Sequence, residues 1–337
     1  MRYVISDDPD AAIEALSDAA RLGSPEAVET YLALGALFRR TGDLARAIRL
    51  HRNMLLRPGL DPVRRQEIER ELAEDYRRGG MLGEAEAAFR ALWERGDRLA
   101  GEGLRDALVD AGRLADAAAV QRELGGEGED PVLAHLLAAL ARSHLPDRAR
   151  EGLDLARQAA AACPRNADAL LALAEAEGAS GNPGGAAAAI SAALSADPGA
   201  TLLAWPALEA LGDTAAALSL VESRLAAAPD DAALRYLEAR LLHRAGRPGA
   251  ALEEARRALE ADTSGEVTLV MRELLREASD PRPEELAGRH ELLVKALLRR
   301  GRPVRCGRCG AEAPVRSWRC RRCGAFGSFG TAGPAAR

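Results

Sequence analysis

The sequence predicts an all-α chain of repeated helix pairs that ends in a small cysteine-rich unit. The 337 residues are 47% apolar but only 3% aromatic, and much of the apolar content is alanine. Such a composition favours closely packed helices over sheets. Glycines recur at near-regular intervals along most of the chain, and two Cys-x-x-Cys pairs stand close to its C-terminal end.

A column of glycines gives the length of the repeat. Its members are Gly42, Gly80, Gly112, Gly181, Gly212 and Gly246. An alanine follows each glycine by five residues, at Ala47, Ala85, Ala117, Ala186, Ala217 and Ala251. We expect the glycine to close one helix in a left-handed conformation and the small alanine to let the next helix approach. Pro198 and Pro229, each 17 residues after a glycine, are expected to end their units.

The pattern resembles the tetratricopeptide repeat, a helix–turn–helix of about 34 residues. A generic α-bundle is the alternative, but a bundle needs no fixed period. The predicted helices run near residues 10–21, 26–40, 43–56, 62–78, 82–94, 98–111, 114–123, 131–143, 146–162, 167–180, 183–195, 200–211, 214–227, 231–245, 248–261, 265–277 and 284–300. A loop is predicted over residues 125–130, which are rich in glycine and acidic residues.

The strongest chemical signal is a set of four cysteines, Cys306, Cys309, Cys320 and Cys323. Four thiolates at this spacing can converge on one tetrahedral metal ion, and the glycine after each pair suits a tight turn. The spacing suits zinc or a rubredoxin-like iron equally, and a site closed by four protein ligands is usually structural. Disulfides are the alternative. The odd fifth cysteine, Cys163, and the lack of a secretory signal disfavour them, and we expect Cys163 to be a small buried residue.

Three segments follow from these patterns. We expect a superhelical repeat solenoid over residues 1–300 with a truncated first repeat, a rubredoxin-like or zinc-ribbon domain over 303–330, and a flexible tail over 331–337. Trp318 and Phe326 are predicted to form the small core of the ribbon. The ribbon is predicted to pack back on the solenoid, with Arg308, Arg321 and Arg322 offsetting the negative charge of the metal–thiolate centre.

The sequence carries no motif of an enzyme. The single lysine, Lys295, precedes Ala296, so a phosphate-binding loop is absent, and His290-Glu291 begins a zinc-protease motif that lacks its second histidine. The five histidines are scattered over different repeats and are predicted to be surface or hydrogen-bonded core residues. We therefore predict a protein that is not an enzyme.

The charge is distributed unevenly. The chain has a net charge of −5, yet residues 295–337 contain eleven basic residues and one acidic residue. A basic tail on an acidic body leaves a nucleic-acid-binding zinc ribbon open as an alternative, although few aromatic residues are available for base stacking. Electron transfer by a rubredoxin-like iron is a third alternative.

Several segments resemble the lipopolysaccharide assembly protein B family. They are LGALFRRTGD at 34–43, RAIRLH at 46–51, Asp75-Tyr76, AEAAF at 85–89, and the terminal cysteine pairs with Trp318. Members of that family combine tetratricopeptide repeats with a C-terminal rubredoxin-type metal domain. The four cysteines match the family's metal ligands one for one. The likeness is most specific over residues 31–92 and 304–330.

The resemblance implies an adaptor at the cytoplasmic face of the inner membrane. Family members restrain lipopolysaccharide synthesis by promoting degradation of the committing lipid A deacetylase by the membrane-bound protease FtsH, which implies both proteins as partners. Members typically begin with a membrane-anchoring helix, and the sequence shows none. We expect either an anchor encoded upstream or a chain held at the membrane by its partners.

Four arginines are predicted to help bind a partner. Arg39, Arg40, Arg77 and Arg78 fall at equivalent late positions on two successive first helices. An anion-accepting surface is one interpretation. Favourable interaction of arginine with the C-terminal end of a helix is the other.

Overall fold

The structure, a computed structural model, describes residues 27–263, 265–268, 270–271, 292, 295–296 and 303–330. Within these residues the helices are α1 Ala27–Thr41, α2 Leu44–Leu55, α3 Pro62–Arg78, α4 Leu82–Glu94, α5 Arg98–Asp110, α6 Leu114–Leu124, α7 Pro131–His144, α8 Ala149–Ala162, α9 Ala167–Ala179, α10 Pro183–Ala196, α11 Trp205–Ala210, α12 Thr214–Ala227, α13 Ala232–Arg244 and α14 Pro248–Ala261. A 3₁₀ helix, Pro198–Ala204, precedes α11.

The predicted helices agree with the observed ones to within about three residues at either end, with one exception. The helix predicted over 200–211 is instead the 3₁₀ helix followed by the six-residue α11. Pro206 explains the break, because it lacks the N–H that would continue an α-helical ladder from the preceding turn. The helix predicted over 10–21, and most of the helices predicted over 265–277 and 284–300, lie outside the described residues.

The glycine and alanine columns have the structural roles predicted for them. Every glycine of the column has a positive φ, between 69° and 87°, where a side chain would be strained. The alanines five residues later are buried, and all but Ala251 are fully shielded from solvent. The helix pairs therefore close and approach as in tetratricopeptide repeats.

The chain forms two compact units, Met1–Glu127 and Gly128–Arg337. The division falls inside the predicted loop over 125–130, which contains no helix or strand. In the first unit, ion pairs join first helices of successive repeats. Arg70 on α3 contacts Asp97 at the start of α5 at 3.0 Å, and Arg77 on α3 contacts Asp110 on α5 at 2.8 Å.

A buried network of charged and polar side chains joins α1, α2 and α3. Asp75 is completely buried, and one of its oxygens lies 2.6 Å from Nδ1 of His51. Its other oxygen accepts a hydrogen bond from Arg39 at 2.7 Å, and Arg39 also contacts Glu71 at 2.6 Å. Gly35 makes room for the imidazole, because a Cβ at this position would lie 2.2 Å from Nε2 of His51. We call these residues the first histidine network.

The second unit repeats this arrangement with different spacing. His135 on α7 lies 2.6 Å from Asp168 through Nδ1, and Asp168 also accepts a hydrogen bond from Arg142 at 2.6 Å. Arg142 contacts Glu175 at 3.0 Å. These four residues form the second histidine network, which joins the first helices of two successive repeats, α7 and α9. Alanines contribute many of the buried side chains between the following helices.

Candidate metal centre

The four predicted cysteines lie in a three-stranded antiparallel sheet and its turns. The strands are β1 Val304–Cys306, β2 Glu312–Ala313 and β3 Phe329–Gly330, in the order β2–β1–β3. Residues 303–330 are called the metal unit below. So small a unit buries too little apolar surface to be folded by the hydrophobic effect alone, and a bound metal usually supplies the missing stability.

Each Cys-x-x-Cys pair forms the same tight turn, here called a knuckle. In the first, Gly310 donates to the carbonyl of Cys306 at 2.8 Å, and in the second, Gly324 donates to the carbonyl of Cys320 at 2.8 Å. Both glycines have a positive φ, of 69° and 76°. The predicted need for glycine after each pair is therefore confirmed.

The four thiol sulfurs converge on one point. All lie within 4.8 Å of one another. Cys306 and Cys323 are 3.6 Å apart at sulfur, and Cys309 and Cys320 are 3.7 Å apart. A tetrahedral site with metal–sulfur bonds of about 2.3 Å needs sulfur separations of roughly 3.8 Å. The cysteines therefore fit one metal ion, which would supply the crosslink that holds the unit folded, and the geometry suits zinc and iron alike.

The thiols of Cys306 and Cys323 differ in acidity. Burial would raise the pKa of Cys306, but hydrogen bonds from the Ser328 hydroxyl and from the backbone amides of Cys309 and Arg308 outweigh it and lower that pKa to about 6. Burial raises the pKa of Cys323 to about 12, and hydrogen bonding among the thiols adds to the effect. A metal would therefore displace at least the Cys323 proton at neutral pH.

Sequence reasoning missed Ser328 as a partner of the cluster. Its hydroxyl oxygen lies 3.2 Å from the sulfur of Cys306, and Gly307 donates to the Ser328 carbonyl at 2.7 Å. The pairing of β1 with β3 holds this contact in place. A serine five residues beyond the last cysteine carries no recognisable signal, because the contact depends on strand pairing and not on spacing.

The metal unit packs against the helices of the second unit, as predicted, but Trp318 and Phe326 do not form a core private to the ribbon. Phe326 stacks on the ring of His135 with centroids 5.5 Å apart and planes at 16°, and Trp318 lies 5.9 Å from the same ring. Trp318 also packs against the helical core. The prediction for these two residues is corrected, because both rings pack on the imidazole of His135 and Trp318 also packs on apolar side chains of the helices.

A second contact lies on the segment between the knuckles. Arg316 contacts Asp197 at 3.2 Å, and its backbone N–H points to a carboxylate oxygen of Glu266 at 3.4 Å. Gly199 leaves space for this guanidinium, since a Cβ there would lie 2.4 Å from it. Burial raises the pKa of Glu266 in spite of this contact. The metal unit is thus attached at two separated places on the helices.

The four arginines predicted to bind a partner differ in their surroundings. Arg39 and Arg77 are largely buried. The guanidinium of Arg39 contacts carboxylates of α3, and that of Arg77 contacts Glu74 on its own helix and Asp110 on α5. Arg40 and Arg78 are both exposed, and Arg78 contacts Glu74 on its own helix at 2.8 Å. Their role in partner binding stays a prediction, and Arg39 and Arg77 have a structural role in the repeats.

The remaining candidates are structural. Cys163 is buried, as predicted, with its sulfur 3.4 Å from a carboxylate oxygen of Glu129. His51 and His135 are buried members of the two histidine networks. In the part of the chain that the structure describes, no helix has the length and apolar character that crossing a membrane requires.

Comparison with known proteins agrees with this architecture. The tetratricopeptide repeat family model matches residues 3–58 and 204–266. Lipopolysaccharide assembly protein B of Escherichia coli strain K12 is 27% identical over 168 residues, which cover 48% of this chain and 43% of that protein, and the protein of strain O157:H7 gives the same values. The match thus spans less than half the length of these curated relatives.

Solved structures of repeat proteins are also similar. A tetratricopeptide repeat protein from Parabacteroides merdae covers 80% of this chain and 98% of its own, with 16% identity and a TM-score of 0.43. The C-terminal part of a repeat protein from Cytophaga hutchinsonii covers 76% and 98%, with 11% identity and a TM-score of 0.46. The family match, the helix pairs and the cysteine cluster together describe a tetratricopeptide-repeat protein with a candidate metal-binding unit near its C-terminal end.

Proposed function

We propose that this chain is a non-enzymatic adaptor that restrains lipid A synthesis by presenting the committing lipid A deacetylase to the protease FtsH. One observation carries the proposal: the similarity to lipopolysaccharide assembly protein B over 168 residues. Tetratricopeptide repeats indicate protein–protein interaction, which suits an adaptor or scaffold. The adaptor acts at the cytoplasmic face of the inner membrane, where its proposed partners meet.

The metal unit has a definite part in this proposal. One zinc or iron ion on Cys306, Cys309, Cys320 and Cys323 holds the unit folded. The folded unit then keeps Phe326 against His135 and Arg316 against Asp197. Metal loading thereby fixes one surface of the second unit in the form that a partner meets.

Two of the four arginines are the better candidates for partner contact. Arg40 and Arg78 are exposed, so their guanidiniums can reach an acidic partner. Arg39 and Arg77 are committed to carboxylates inside the repeats. Charge reversal should therefore be made at Arg40, because reversal at Arg39 or Arg77 would place like charges together inside the repeats, and reversal at Arg78 would place a carboxylate beside Glu74.

The test is the half-life of the deacetylase in the native host, with and without this gene. The proposal expects a longer half-life on deletion and restoration by the intact gene. Cys309→Ala should fail to restore it and should lose the metal, while Asp154→Ala, an exposed change on α8, should restore it. An unchanged half-life on deletion would leave a metal-stapled repeat scaffold without this target.

A further inference from the structure

An arginine and a tryptophan contact each other across two first helices of the second unit. The guanidinium carbon of Arg240 on α13 lies 3.8 Å from the ring centroid of Trp205, the first residue of α11. The ring of Tyr236, one turn earlier on α13, lies 5.9 Å from the same guanidinium. A cation so close to an indole lies over the face of the ring and is attracted by it. Aromatic rings therefore hold the Arg240 side chain in place.

The charge of Arg240 is not matched by a carboxylate. Among the residues that the structure describes, its guanidinium contacts the two rings but forms no ion pair or hydrogen bond. The side chain is half-buried, and none of its nitrogens belongs to the polar atoms that are buried without a partner. Its N–H donors are therefore open to solvent and to a ligand.

The next cation on this face of α13 is different. Arg244, one turn after Arg240, contacts Glu209 on α11 at 2.7 Å. Glu209 in turn lies one turn after Trp205. α11 thus presents an aromatic ring to the first arginine and a carboxylate to the second, so Arg240 has the unmatched charge of the two.

The equivalent positions of other repeats show that the repeat fold does not require this pair. Six residues before the glycine of the column, where α13 has Arg240, three other first helices have an acidic residue that contacts an arginine: Glu74, Asp106 and Glu175. Seven residues before the glycine, where α11 has Trp205, four other first helices have glycine or alanine: Gly35, Ala73, Ala174 and Ala239. The arginine and the tryptophan are therefore local features of α11 and α13.

We propose that Arg240, held by Trp205, binds a carboxylate side chain in an acidic segment of a partner protein. A guanidinium that stacks on an aromatic ring keeps the N–H donors in its own plane, and these bind a carboxylate through paired, charge-assisted hydrogen bonds. Arginine, tryptophan and tyrosine are also the residues that most often dominate the binding energy of protein interfaces. The inference goes beyond the adaptor role proposed above, and it stands whether or not the deacetylase supplies the segment.

Nucleic acid is the less suitable ligand for this site. Arg240 lies over the indole of Trp205, and Tyr236 is buried, so these rings offer no open platform for successive bases. A nucleic acid strand also needs several cations along its phosphates. Arg244, the next cation on this face, is already paired with Glu209. A single carboxylate needs only the guanidinium of Arg240.

The experiment follows the indole N–H signals of the full chain, whose three tryptophans are isotope-labelled for nuclear magnetic resonance. The probe is the peptide acetyl-Gly-Asp-Gly amide, which has one carboxylate, and Trp205→Phe assigns the signal of Trp205. That signal should shift in a saturable way with a Kd in the millimolar range, because one charged contact supplies the affinity. The signals of Trp93 and Trp318 should not shift. The same peptide with asparagine in place of aspartate should give no shift.

Three variants separate recognition by Arg240 from general attraction. Arg240→Gln should weaken binding about tenfold, and Arg240→Lys, which keeps the charge but loses the planar guanidinium, should weaken it severalfold. The matched control replaces both members of the neighbouring ion pair, Glu209→Gln with Arg244→Gln. It leaves the net charge of the face unchanged and should alter the affinity by less than about twofold.

Three outcomes would overturn the inference. A Trp205 signal that does not respond to the aspartate peptide would remove the site. Equal losses in Arg240→Gln and in the paired control would show that the peptide is attracted by the surface in general. Tighter, Arg240-dependent binding of a single-stranded oligonucleotide would assign the arginine to nucleic acid. None of these results depends on the half-life of the deacetylase, so failure of this site and failure of the adaptor role are distinguishable.

Discussion

The two histidine networks are built alike but end differently at the second imidazole nitrogen. In the first, Nε2 of His51 is buried against Gly35 and has no hydrogen-bond partner among the described residues. In the second, Nε2 of His135 lies 3.2 Å from the side-chain amide of Asn166, and the ring stacks on Phe326 of the metal unit. The histidine of the first network is thus buried within the packing of the repeats, whereas the histidine of the second also contacts the metal unit.

The same kind of buried network can therefore serve two purposes in one repeat protein without a change of fold. In both networks an aspartate bridges a histidine and an arginine and so fixes the spacing of neighbouring helices. The networks differ in the helices that they join, which are α1, α2 and α3 in the first and α7 and α9 in the second, and in the surroundings of the imidazole. Gly35 has no side chain, so the imidazole of His51 can pack closely against its helix. The imidazole of His135 instead has a face that is in contact with the aromatic rings of Phe326 and Trp318.

Removal of the central aspartate should have the largest effect and should separate the networks. Asp75→Ala leaves the buried His51 with no partner at either nitrogen and removes one carboxylate from Arg39, so we expect a loss of about 3–5 kcal/mol in the free energy of unfolding. Asp168→Ala should cost less, about 2–3 kcal/mol, because His135 keeps Asn166. Urea denaturation measures the loss in the free energy of unfolding for each variant. Hydrogen exchange at α2 and α7 measures the local effect on each network.

The control is Asp154→Ala, an exposed change that should alter stability by less than about 0.5 kcal/mol. Equal losses for Asp75→Ala and Asp168→Ala would contradict the distinction drawn between the two networks. It would mean that the amide of Asn166 contributes nothing to holding His135.

Gly35→Ala tests whether close approach to the imidazole is required. The added Cβ would lie 2.2 Å from Nε2 of His51, so the network must shift, and overpacking of this kind costs about 1–3 kcal/mol. Gly83→Ala in α4 is the matched control, because its Cβ would meet nothing within 4 Å. That change should stabilise the chain by up to about 1 kcal/mol through helix propensity. Thermal unfolding of the two variants gives opposite signs if Gly35 is needed for space.

The helix pairs and the cysteine cluster could be predicted because their signals are local. Gly42 and its equivalents recur at the period of the repeat, and Cys306 and its partners have fixed spacings. The histidine networks could not be predicted in this way. His51 and Asp75 are 24 residues apart, His135 and Asp168 are 33 apart, and one isolated histidine looks like any other.

The orientation of Trp318 and Phe326 was beyond sequence reasoning for a different reason. An aromatic residue in so short a unit can face inward or toward a neighbouring domain, and the spacing of the cysteines is compatible with both. The choice depends on where His135 lies after the helices have packed. The same holds for Ser328, whose contact with Cys306 exists only once β1 and β3 are paired.

His135→Ala should loosen the metal unit without removing its metal. The variant loses the stacking on Phe326 and Trp318, and aromatic pairs contribute about 0.5–1.5 kcal/mol each, so local opening should increase roughly tenfold. Hydrogen exchange at residues 304–306 measures the opening, and zinc analysis should still give one ion per chain. The exposed His243→Ala is the control and should change neither quantity. Unchanged exchange in His135→Ala would mean that the contacts of Arg316 with Asp197 and of Trp318 with the helical core suffice to hold the unit in place.

Ser328→Ala should give the smallest effect and separates metal retention from attachment to the helices. Loss of the hydroxyl donor should raise the pKa of Cys306 from about 6, so protons compete more strongly with the metal. Because the thiolates are the ligands, zinc affinity falls as pH falls, and the variant should release zinc a few tenths of a pH unit higher than the unmodified chain. Ser317→Ala removes a hydroxyl that bonds the Arg319 carbonyl and should leave the release unchanged. Hydrogen exchange at α7, the helix that contains His135, should be normal in Ser328→Ala until zinc is lost. Release of zinc at the same pH as from the unmodified chain would assign the low pKa of Cys306 to the backbone amides.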